Sequence, residues 1–229
     1  MTRLRIVVEG QTEKAFVEAL VRGALWEAAG LDVSATTIVT RRDLARGLTH
    51  RGGHGGHYAH IRRDVLTHLK SDPSVIVTTM LDLYGIPSDF PGRDACGRGT
   101  PEARASCLEA AFSSDIAHPR FIPNLLVHEF EALLFASPDA IETVLETGRP
   151  TEIARIVEEC GSPEAIDDGP ETAPSKRLLR LHPSYRKAID GPLIAQVIGL
   201  ADIRSRCPHF DAWLRRLESL QGAKSHPTT

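Results

Sequence analysis

A chain of 229 residues, 41% hydrophobic and 25% charged, is long enough for one large domain or for a core domain with an appendage, and its composition is that of an ordinary globular protein. Its net charge of −3 weakens the case for nucleic-acid binding by bulk charge and leaves that role to a local basic patch. No apolar run is long enough to span a bilayer, no leader is expected ahead of the first strand, and Cys96, Cys107, Cys160 and Cys207 lack C-x-x-C spacing, so neither a zinc site nor a disulfide framework is expected and a reducing cytoplasm fits best.

Near the start, Ile6, Val7 and Val8 form a β-branched apolar run, the pattern of a strand covered on both faces. Gly10 permits a tight turn after it. From Thr12 onward, Phe16, Val17, Leu20, Val21, Ala24 and Leu25 recur at helical spacing. Glu9 is therefore expected at the carboxyl end of a strand and Glu13 in the first turn of the next helix, where open α/β sheets bind ligands. Two carboxylates joined by a glycine turn suit a hard cation such as Mg²⁺. The plainer alternative is that Glu13 complements the helix dipole and Glu9 is solvated.

A second strand is predicted over 32–39. Composition then shifts: Arg41, Arg42, Arg46, Arg51, Arg62 and Arg63 face one acid, Asp43, with His50, His54, His57, His60 and Gly52, Gly53, Gly55, Gly56 interleaved. A glycine-rich loop running into a helix offers backbone N–H groups to an anion, and the arginines make it a candidate contact for a phosphate backbone. A mobile surface loop is the alternative, and the histidine spacing fits polar surface better than a metal. A helix over 58–70 and a strong strand over 75–81 follow, ending at Asp82. Right-handed crossovers put Asp82 on the same sheet edge as Glu9; an Asx turn before Gly85 is its plain reading. A helix is expected over 101–116 and a fourth strand over 120–127, where Pro123 signals an edge position or a bulge. Glu129 and Glu131 come just beyond it; being two residues apart on a helix, at most one of them is expected to face the site.

The C-terminal part differs. Residues 139–171 carry ten acids and two arginines and read as two short solvated helices. A basic helix opens at Ser175-Lys176-Arg177, and the run to Lys187 either lines a substrate groove or neutralises the acids before it. An apolar stretch at 192–201 and a last helix with Phe210, Trp213, Leu214, Leu217 and Leu220 complete the chain. The organisation expected is an α/β core over 1–136, a mainly parallel sheet of about four strands flanked by helices, with a helical extension over 137–229 packed on it.

The strings Val8-Glu9-Gly10-Gln11-Thr12-Glu13 and Asp82-Leu83-Tyr84 resemble the Toprim fold, which places a glutamate after its first strand and an Asp-x-Asp after its third. The second acid at Glu13 is most similar to the OLD-type nuclease variant. Together with Asp82-Leu83-Tyr84-Gly85-Ile86-Pro87, His128-Glu129-Phe130-Glu131, Ala173-Pro174-Ser175-Lys176-Arg177 and Cys207-Pro208-x-Phe210-x-x-Trp213-Leu214, the chain resembles a bacterial family of unknown function numbered 4276 over nearly its full length. The resemblance implies a divalent-metal-dependent nuclease acting on DNA or RNA. Glu9, Glu13 and Asp82 would be catalytic and, with Glu129 or Glu131, would hold Mg²⁺ or Mn²⁺. On the residues' own chemistry, Gly10, Arg51, His54, His57, Arg62, Lys176 and Arg177 would contact the phosphates. The resemblance also implies a separate ATPase partner of the AAA or ABC type and, by association with OLD-type systems, a role in phage defence; the sequence itself contains no G-x-x-x-x-G-K-[ST] loop for P-loop ATP hydrolysis. Tyr84 stands where Toprim has its second aspartate, and a phenol is no hard-oxygen ligand at neutral pH. The alternative is thus a catalytically degenerate binding or regulatory module.

Overall fold

The computed structural model describes residues 1–43, 48–51, 56–97, 99–166 and 169–220, with backbone alone for 41–43 and 48–51. In chain order the elements are β1 (Thr2–Val8), α1 (Gln11–Phe16), a π-helical turn (Val17–Val21), α2 (Arg22–Ala29), β2 (Leu31–Thr37), β3 (Val39–Asp43), β4 (Leu48–Arg51), α3 (Tyr58–Ser71), β5 (Val75–Asp82) and α4 (Pro101–Ile116). Then come β6 (Phe121–Ile122), β7 (Leu125–Leu126), α5 (Phe130–Leu134), α6 (Pro138–Leu145), α7 (Pro150–Cys160), α8 (Pro174–Leu181), α9 (Lys187–Ile198), α10 (Leu200–Arg206) and α11 (Pro208–Glu218).

The main sheet is parallel in the order β2-β1-β5, with β6 and β7 both pairing the outer edge of β5. Proline has no N–H to give a ladder, and the edge strand breaks at Pro123-Asn124; Thr79 bridges the gap, accepting from the Asn124 N–H at 2.9 Å and donating to its carbonyl at 2.8 Å. Alternation along the strands divides the core. Leu4, Ile6, Val8 and Met80 face the layer that includes α1, α2, α9 and α11, whereas Val7, Val77 and Leu81 face α3 and α4. Helices from beyond residue 137 share the first layer with β1: Ile194, Ala195, Phe210 and Trp213 are buried there, and the Trp213 indole donates to Thr78 at 2.9 Å.

Two expectations are corrected. The arginine-rich stretch is not simply a loop entering a helix, because β3 and β4 pair as an antiparallel hairpin. The glycines at 52–55 and His54 lie outside the described residues, as does the side chain of Arg51. Cys96 and Cys107, for which no disulfide was expected, are bonded with S–S 2.05 Å. The loop after β5 turns back at Gly92 (φ 77°) and brings Cys96 over α4, so two cysteines eleven residues apart stand with Cα atoms 5.7 Å from each other, a proximity that C-x-x-C logic does not see. None of the described helices is long and apolar enough to cross a membrane.

Candidate functional site

Parallel strands with right-handed crossovers deliver their carboxyl ends to one edge. Glu9 follows β1, Asp82 ends β5, and Glu131 lies in the first turn of α5 just after β7. The ladder continues beyond the strands: the Leu83 N–H donates to Leu126 O at 3.0 Å and the Tyr84 N–H to His128 O at 2.7 Å. His128 adopts a left-handed conformation (φ 65°), and there the chain turns into α5. Asp82 Oδ1 accepts the Phe130 N–H at 2.9 Å, which fixes the start of α5 against the end of β5. On the other side, Glu13 folds back and Oε2 accepts the Gly10 N–H at 2.8 Å, one half of a capping box. A Cβ at Gly10 would stand 3.1 Å from that oxygen.

These carboxylates converge on a cation that the sequence did not single out. Lys187, the first residue of α9, places Nζ 3.0 Å from Glu131 Oε2, 3.4 Å from Asp82 Oδ2 and 3.6 Å from Glu13 Oε1. Glu13 and Glu131 are 2% and 0% exposed. Burial would lower the ammonium, but the charges of Asp82, Glu131 and Glu13 outweigh it and hold Lys187 above the ordinary lysine range. One ammonium does not balance all the acids. Burial, with the charges of Asp82 and Glu13, pushes Glu9 up to about 8. Burial also pushes Glu131 up to about 8, against the pull of Lys187 and with Asp82 and Glu129 adding to the rise. Glu13 is raised by burial and by Asp82.

The donor set suits a hard divalent cation. It is all carboxylate; Glu9 Oε2 is buried with no hydrogen-bond partner among the described residues; and an ammonium already stands where the acids meet. The acids are spread around Lys187, and no group of three His, Cys, Asp or Glu side chains among the described residues is drawn close enough to hold a metal as it stands.

A family profile described as Domain of unknown function (DUF4276) matches residues 8–218. The chain belongs to the DUF4276 family. Among solved structures, the C-terminal region of the Burkholderia pseudomallei OLD protein is similar at 18% identity with a TM-score of 0.49, covering 96% of this chain and 99% of that one. The C-terminal region of the Xanthomonas campestris pv. campestris OLD protein is similar at 16% identity with a TM-score of 0.40, covering 97% of this chain and 98% of that one. No curated protein matches.

Within this DUF4276 chain the remaining expected residues scatter. Of the two glutamates after β7, Glu131 reaches the cluster, while Glu129 accepts from the N–H and the hydroxyl of Ser175, each at 3.1 Å. Tyr84 is 39% exposed. Arg62 is paired with Asp115 at 2.9 Å, and the Arg177 Nε–H donates to Thr172 O at 2.7 Å. Lys176 is exposed, and His57 is exposed immediately before α3. Lys187 was hidden in the sequence as the last member of a basic run. The signal that could have exposed it is electrostatic: a cation in the first turn of an apolar helix opposes the helix dipole and needs acids nearby.

Proposed function

We propose that this protein is a divalent-metal-dependent nuclease whose metal is held by Glu9, Glu13, Asp82 and Glu131. The observation that carries the reading is the convergence of carboxylates from two strand ends and two helix starts on the Lys187 ammonium, at 3.0 to 3.6 Å for three of them. Mg²⁺ or Mn²⁺ bound there would orient water and neutralise charge developing on a phosphate. The chain's own groups prepare the site. The Phe130 N–H orients Asp82 and the Gly10 N–H orients Glu13. With a divalent ion held by these carboxylates, Lys187 would stand beside them as a positive group for an anionic substrate. The likeness of Glu9-Gly10-x-x-Glu13 and Asp82 to the Toprim pattern supports phosphodiester chemistry, with DNA or RNA as substrate, Lys176 as a phosphate contact and a separate ATPase as partner in phage defence. The test is metal-dependent cleavage by the wild-type chain and by Glu9→Ala. The reading predicts cleavage that is lost in the variant while folding is kept; equal cleavage by the folded variant sinks it.

A second reading, a regulatory module without catalysis, draws on Tyr84 in place of an acid and on Lys187 in the position of a cation. It predicts that the folded wild type takes up no Mn²⁺ and co-purifies with an ATPase.

A further inference from the structure

Glu129 adjoins the acid cluster but is occupied elsewhere. It is 4% exposed and caps α5 with extended backbone (φ −145°, ψ 164°), which lets its side chain leave the direction that Glu131 takes two residues later. Its Oε2 accepts the Ser175 N–H and its Oε1 the Ser175 hydroxyl, each at 3.1 Å. Ser175 is in the first turn of α8, so the carboxylate also meets the positive end of that helix. Two of the strings through which the chain resembles the family, His128-Glu129-Phe130-Glu131 and Ala173-Pro174-Ser175-Lys176-Arg177, thereby meet across 46 residues.

Beyond α8 the chain needs a short turn to reach Lys187. Tyr185 N–H donates to His182 O at 2.9 Å, and the Tyr185 hydroxyl lies 3.5 Å from Glu131 Oε1. On the far side of Lys187, Gly191 lets α9 lie close: a Cβ there would stand 3.1 Å from the Tyr185 hydroxyl, 3.2 Å from Phe130 and 3.4 Å from Thr12. Lys187 thus lies in the chain between the Glu129–Ser175 contact and the Gly191 approach, and next to it the Arg186 N–H donates to Asp190 Oδ2 at 2.7 Å.

We infer that Glu129 is a positioning residue rather than a metal ligand: with Ser175 it fixes the start of α8 and so carries Lys187 to the acid cluster. The inference rests on the proposed site in taking Lys187 as a working group there. It assigns the two glutamates after β7 different tasks, Glu131 at the cluster and Glu129 at the joint between the sheet edge and the helices that supply the cation.

The test compares acylation of Lys187 with that of the exposed Lys176 by peptide mass spectrometry, on the full metal-free chain, in wild type, Ser175→Ala, Ser175→Thr and Glu129→Ala. Lys187 is expected to react more slowly than Lys176 in wild type. The rate at Lys187 should rise several-fold in Ser175→Ala, rise further in Glu129→Ala, and return toward wild type in Ser175→Thr, which keeps the hydroxyl. Mn²⁺ binding should survive in Glu129→Ala, and in cleavage assays Ser175→Ala should lower kcat with little change in KM. Unchanged protection of Lys187 in folded Ser175→Ala, the second variant if Glu129→Ala does not fold, overturns the inference, as does loss of Mn²⁺ binding in folded Glu129→Ala. The labelling needs no activity, so a wild type without nuclease action would break the functional reading while leaving the Glu129–Ser175 contact to stand or fall on its own result.

Discussion

Two charged clusters in this protein treat the same chemical group in opposite ways. On α10 and α11, Arg204 binds Asp211 at 2.6 Å and Glu218, and Arg215 binds Asp211 at 2.6 Å. There burial raises Asp211, but the hydrogen bonds from Arg215 and Arg204 outweigh it and hold the acid below its usual range. At the sheet edge, Glu9, Glu13, Asp82 and Glu131 gather around one lysine, and Glu9 and Glu131 rise to about 8. Stoichiometry makes the difference. Where cations match acids, a carboxylate is held toward its charged form; where acids outnumber cations in a buried place, burial and mutual repulsion push carboxyls up toward the protonated form. The second arrangement is the one the proposed metal site rests on.

The largest effect expected from breaking this contrast is at Asp82. Asp82→Ala removes a cluster acid and the partner of the Phe130 N–H, and should lower Mn²⁺ affinity and cleavage by more than the ~100-fold typical of losing an outer-shell partner. Asp211→Ala, in the balanced cluster, should leave both unchanged. Binding isotherms and initial rates for the two variants measure the contrast directly.

The pH dependence comes next. A divalent ion must displace the protons on Glu9 and Glu131, so Mn²⁺ affinity should rise as pH climbs toward about 8 and level off above it. Stability of the metal-free protein should move the other way. These carboxyls have folded pKa values above their unfolded ones, so the folded state binds more protons between the two. Their contribution is fully present below the unfolded value of 4.5 and is lost as pH rises through about 8. Thermal melts from pH 5 to 9 should show Tm falling across that interval, and Mn²⁺ should restore it at the alkaline end.

Lys187→Met removes the cluster's own cation. Without the competing ammonium, Mn²⁺ should bind at least about tenfold more tightly, because the repulsion of like charges a few Å apart is removed, while cleavage falls. Calorimetry and rates on one preparation separate the two effects. The smallest effect is expected at Gly191. Glycine to alanine inside a helix ordinarily stabilises by roughly 1 kcal/mol, but here the methyl meets Tyr185, Phe130 and Thr12. The overpacking, about 1–3 kcal/mol in tight sites, should cancel or reverse the gain in a denaturant melt.

Much of the fold was legible because its signals are local. The β-branched runs at 6–8 and 75–81 became the two central strands, Pro123 marked the break in the edge strand, and α4 spans Pro101–Ile116 with Pro101 in its first turn, as expected. Parallel topology then brought Glu9, Asp82 and Glu131 to one edge. What the sequence hid depends on distance in space. Lys187 lies 105 residues from Asp82, and its meeting with the acids depends on how α9 packs against α1 and α5. The choice between Glu129 and Glu131 rested on a single left-handed residue, His128, and on Ser175, which no reading of 129–131 contains. The Cys96–Cys107 bond required the course of the loop after β5.

Whether the surplus acids at the sheet edge form a metal site is decided by calorimetric titration of the full chain with Mn²⁺ at about pH 8.5, just above the raised carboxyls. The wild type should bind, with a heat that changes with the buffer's ionisation enthalpy because protons leave Glu9 and Glu131, and folded Asp82→Ala should not. Equal binding by the two, or none by the folded wild type, would contradict a metal site there.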